Sequence, residues 1–91
     1  MMTDRELDMI VAEKVMSGEF DVPHYSTSIE EAMHVVARVA IPDPARWPEF
    51  ELVLSGGNVR VRFYDDTWVE AETAPRAICL AALRHVGVEV L

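Results

Sequence analysis

The chain has a single cysteine, Cys79, and a single lysine, Lys14, in 91 residues. One cysteine excludes an internal disulfide, so nothing in the sequence requires an oxidising compartment. Long apolar runs are absent as well. The longest near-apolar stretch, Ala77 to Leu83, has seven residues, against the roughly 20 that a membrane span needs. No basic region precedes an apolar one, so no signal peptide is expected and the default location is cytoplasmic. Positive charge is scarce: sixteen acids against eight bases leave −8. That balance argues against phosphate backbones and anionic membranes as partners. The few glycines form neither a G-x-G-x-x-G nor a Walker pattern. His24, His34, His85 and Cys79 are scattered with no zinc-type spacing, so no metal and no cofactor are expected.

What is present is a folding chain. Hydrophobic residues make up 51%, too many for a disordered tail, and the length suits one domain spanning 1–91. The acidity is uneven. Residues 1–31 hold eight acids and two bases, a charge of −6. Asp8, Glu13, Glu19 and Asp21 are therefore the candidate acidic interaction face, suited to a protein partner with a basic surface.

Hydropathy and turn chemistry predict the order α-α-β-β-β-α. Thr3-Asp4-Arg5-Glu6 is a capping box ahead of an apolar stripe at Leu7, Ile10, Val11 and Val15, a helix ending near Met16 with Gly18 as its stop. Thr27-Ser28-Ile29-Glu30, overlapped by Ser28 with Glu31, opens a second helix to about Ala40. Ile29, Ala32, Met33, Val36 and Ala40 are its expected core face, broadened by Val35 and Val39, and Glu30, His34 and Arg38 its polar stripe, with His34 paired to Glu30. Pro42, Pro44 and Pro48 exclude a helix interior between 41 and 48. Two alternating strands, Phe50–Ser55 and Val59–Tyr64, flank Gly56-Gly57, a hairpin signal. A short third strand, Thr67–Ala71, completes an antiparallel three-stranded meander. Thr73, with Pro75 behind it, caps a third helix so uniformly apolar that it must be buried on two sides and end at Gly87. The fold class is α+β, helices on an antiparallel sheet.

Two clusters could carry chemistry. His24-Tyr25-Ser26-Thr27 sets an imidazole beside hydroxyls, as a base and nucleophile would be. With no orienting acid or oxyanion site identifiable, Ser26 or Thr27 as a helix cap and Tyr25 as a core anchor is the favoured reading, and no enzyme is expected. Arg60, Arg62 and Tyr64 alternate on one face of the second strand with Glu51 across from them, a candidate site for a phosphate or nucleotide; ordinary cross-strand pairing is the favoured alternative. Trp47 and Trp68, flanking the hairpin, are either core covers or interface anchors.

Three stretches are similar to segments of one family. Pro23-His24-Tyr25-Ser26-Thr27-Ser28-Ile29, continuing through Glu30-Glu31-Ala32 to Val35-Val36, resembles its PHYST-x-I segment. Ala71 to Leu83 resembles its AETAPxAICLAAL segment. The opening Asp4–Asp8 and Val11–Met16 resemble its start. The family is the phage ABA-sandwich domain, and the resemblance implies a small α+β phage or prophage protein while transferring no activity. Both main motifs lie at helix N-termini. If the His24 loop meets Glu72 and Thr73, they form one polar node, either a pin between two helices or a pocket for an anion. The leading expectation is an accessory protein that binds a macromolecule, for instance to inhibit a host defence protein. The alternative is a protein that binds or sequesters a small anion or nucleotide. The α-β-β-β-α portion matches the order of the double-stranded RNA-binding domain, but the charge argues against that use. The apolar third helix and the Val88–Leu91 tail are compatible with a homodimer.

Overall fold

The computed structural model describes residues 3–16, 21–40, 50–64 and 66–88. Helix α1 runs from Asp4 to Lys14, α2 from Ile29 to Val39 and α3 from Ala74 to His85; strands β1, β2 and β3 span Phe50–Ser55, Asn58–Phe63 and Val69–Ala71. The order is the expected α-α-β-β-β-α. Gly18, the 41–48 segment with Trp47, and the end of the tail lie outside the described residues.

Each helix starts where a hydroxyl satisfies its free amides. Glu6 N–H donates to Thr3 Oγ1 at 3.1 Å and Thr3 N–H donates back to Glu6, closing the capping box. Ser28, not Ser26 or Thr27, caps α2 by accepting from Glu31 N–H. Ser26 is committed elsewhere, and Thr27 is exposed. Thr73 caps α3. That helix ends on a pair of bonds, Gly87 N–H to the Arg84 carbonyl and Val88 N–H to the Leu83 carbonyl. The closure needs a left-handed residue, and Gly87 has φ 89°.

The sheet order is β1-β2-β3, antiparallel throughout. Gly56 and Gly57 both have positive φ, as the tight two-residue hairpin turn requires. Paired residues point to the same side, so the register gives two faces. Val59, Val61 and Phe63 face inward with Phe50, Leu52 and Leu54 beside them; Arg60, Arg62, Glu51, Val53 and Glu70 face outward.

Helix α3 is the centre. Ala77, Ile78, Cys79, Ala81, Ala82 and Leu83 are all buried, because α3 packs on β2 and β3 along one side and on α1 and α2 along the other. Its small residues allow that close approach on both sides. Ile29 and Met33 depart from expectation, both being exposed, whereas Ala32, Val36, Val35 and Val39 are buried as expected. The stripe is rotated because α2 meets only α3 in force, so a narrow face suffices. His34 sits 3.5 Å from Glu31 rather than pairing with Glu30.

Candidate functional site

Among the described residues, the buried polar side chains, Asp8 and Ser26, meet at one point. Asp8 was expected on an exposed acidic face; its side chain is 1% exposed. Asp8 occupies the apolar stripe of α1 with Val11, Ala12 and Val15, at i, i+3, i+4 and i+7, so the helix turns it inward. A buried carboxylate must be hydrogen-bonded, and the His24 loop supplies the donors. Ser26 N–H donates to Asp8 Oδ1 at 2.7 Å, and Ser26 Oγ lies 2.7 Å from the same oxygen. Oγ is also 3.0 Å from the Asp4 carbonyl. Arg5 Nη1 reaches Asp8 Oδ2 at 3.4 Å, and His24 Nδ1 stands 3.8 Å from it, with the imidazole mostly in solvent. A tight bend brings the loop to this position, since the His24 carbonyl accepts from both Thr27 and Ser28 N–H. Tyr25, fully buried, anchors it in the core.

This geometry differs from a nucleophilic site. A Ser nucleophile hands its proton to a histidine and faces a substrate. Ser26 is buried, and its hydroxyl sits between the Asp8 carboxylate and a backbone carbonyl. Cys79 is sealed as well. Burial pushes its thiol up to about 12, with the Asp8 charge adding to the effect and Arg76 opposing it. Such a thiol is no nucleophile near neutral pH.

The link to α3 runs through Arg76, whose Nη1 donates to Asp4 Oδ1 at 2.6 Å. The predicted union of the His24 loop with Glu72 and Thr73 takes a different form. Glu72 and Thr73 are exposed, Thr73 serves its own helix, and the joining contacts come from Asp4, Asp8 and Arg76.

The arginine face separates from Tyr64. Arg60 and Arg62 point outward, their guanidinium carbons 5.4 and 4.6 Å from the half-buried Trp68 ring centre. Arg62 also grips Glu51 Oε1 through Nε at 2.8 Å and Nη2 at 2.7 Å. Alternation puts Tyr64 beside them, but its φ is 56°. This left-handed residue ends the strand and swings the ring inward, where its hydroxyl donates to the Val39 carbonyl at 3.4 Å. The three residues therefore do not form one anion site, and one arginine is already neutralised.

A pair not singled out from the sequence joins the end of α3 to the β2–β3 connection. His85 Nδ1 lies 2.6 Å from Asp66 Oδ2, and the ring stacks on Tyr64 with centroids 5.5 Å apart. Nothing local marks this pair, nineteen residues apart.

Of the acidic-face residues, Glu13 and Asp21 are exposed, and Glu19 lies outside the described residues. Met9 on α1 and Ile29 and Met33 on α2 are exposed apolar side chains. Among the described residues no group of three metal-ligating side chains is assembled, and no helix is long and apolar enough to cross a membrane.

Comparison with known proteins places these features. The family model of the phage ABA sandwich domain matches residues 9–83. The crystal structure of a phage protein from Bacillus cereus ATCC 14579 is similar over 100% of this chain and 94% of that one, with a TM-score of 0.81 and 25% identity. No curated protein matches.

Proposed function

The chain belongs to the phage ABA sandwich domain family, and on that footing we propose that it is a phage accessory protein that works by binding a macromolecule, not by catalysis. One observation carries the reading. The outward faces of α1 and α2 present Met9, Ile29 and Met33 in solvent, next in sequence or one turn away from Glu6, Glu13 and Glu30. Exposed apolar side chains with carboxylates beside them on the same helix suit a partner surface that is basic with apolar gaps: the charges steer the encounter and the apolar contacts hold it. The burial of Ser26 and Cys79 supports the same reading, since the reactive side chains are spent on the fold. Inhibition of a host defence protein, many of which must themselves present basic surfaces to nucleic acid, is the specific form we favour. The protein then acts in the bacterial cytoplasm.

Affinity capture from phage-bearing cells tests this. A specific basic protein is expected at low salt, weakened at high salt, and lost with Met33→Asp while melting temperature holds. Capture that is indifferent to both salt and Met33→Asp would overturn it.

A further inference from the structure

Strand β1 shows what a second copy of this chain could use. The hairpin turn makes Ser55↔Asn58 its hydrogen-bonded closing pair, and pairs alternate from there. Val53 and Glu51 therefore bond to β2, while Leu52 and Leu54 turn their N–H and C=O groups to the edge away from β2. Among the described residues β2 is the only strand neighbour of β1. Natural edges are protected by lysine, proline, a bulge or an inward charge. Phe50-Glu51-Leu52-Val53-Leu54-Ser55 has no lysine, proline or bulge, and its one charge, Glu51, is tied to Arg62. Leu52, Val53 and Leu54 are 39%, 45% and 77% exposed.

We infer that β1 pairs antiparallel with β1 of a second copy across a two-fold axis at Val53, joining two sheets into one of six strands. Charge favours the same chain as occupant. The net charge of −8 disfavours self-association through the acidic N-terminal third, yet the only acid on β1, Glu51, is held by Arg62 of its own chain. In this register Leu52 faces the partner's Leu54, Val53 faces the partner's Val53, and Glu51 faces the partner's Ser55, so no like charges oppose each other. Even-numbered register also keeps both inward faces on one side. The contact is one strand wide, so it belongs with small, reversible interfaces. This dimer is independent of the partner proposed above, which would use the α1 and α2 faces.

The test uses the purified full chain alone. In sedimentation equilibrium from about 10 µM to about 1 mM, a range for affinities weaker than about 1 µM, the average mass is expected to rise above 10.2 kDa. Leu54→Lys, at a side chain largely in solvent, is expected to stay monomeric with the wild-type melting temperature. Amide exchange gives a second reading that needs no variant: Leu52 and Leu54 N–H gain protection with concentration, and Val53 N–H, already bonded to Arg60, does not. A monomer across the whole range overturns the inference. So does association that Leu54→Lys leaves intact, or protection that rises on α2 instead.

Discussion

Asp8 shows how one residue fixes a loop. An acid in an apolar stripe is tolerable only if something answers it, and here a backbone N–H and a hydroxyl from Ser26 do. Removing the carboxylate strands the Ser26 N–H in a dry site and leaves the hydroxyl only the Asp4 carbonyl. Asp8→Ala is therefore expected to destabilise by roughly 3 kcal/mol, and Ser26→Ala by about 1–2 kcal/mol. The two losses should not add, because they share one interaction, and urea melts of both variants and the double variant measure this. Additive losses would count against the pairing. Cys79 gives a prediction in pH. Its folded thiol titrates near 12, its unfolded thiol near 9. Between those values the unfolded chain has released a proton that the folded chain keeps, so stability is full below about pH 9 and falls as pH rises towards 12. The slope is at most about 1.4 kcal/mol per pH unit. Comparing wild type with Cys79→Ala in alkaline melts isolates it, and identical slopes would refute it.

At the scale of elements, the readable features were the ones encoded locally. Thr3 with Glu6, Gly56-Gly57, Thr73 with Pro75, and Gly87 each sit within four residues of what they control, and each acts as sequence chemistry implies. The uniformly apolar α3 correctly announced burial on two sides. Alternation misled at Tyr64, since one left-handed residue changes a side chain's face and a tyrosine gives no warning of it. The rotation of α2 was hidden because Ile29 and Met33 fit a helical stripe as well as the residues that are buried; only the neighbour decides. Of the polar site, His24, Tyr25 and Ser26 were legible as a cluster. Asp8 was not, although its stripe position was a usable signal. Arg76–Asp4 and His85–Asp66 span 72 and 19 residues and have no local signature.

At the scale of the whole molecule, α3 is the element on which the sheet and both other helices are packed. The consequence concerns time. The ribosome delivers α1, α2 and the hairpin before α3, so Leu7, Val35, Val61 and Phe63 emerge before the helix that buries them. The chain must stay open until Ala74–His85 arrives and then close around it in one step. Ribosome-stalled chains of increasing length, probed by proteolysis, are expected to stay fully sensitive until α3 has left the exit tunnel and then to become resistant together. Protection appearing earlier would mean that the first helices or the hairpin hold a core of their own.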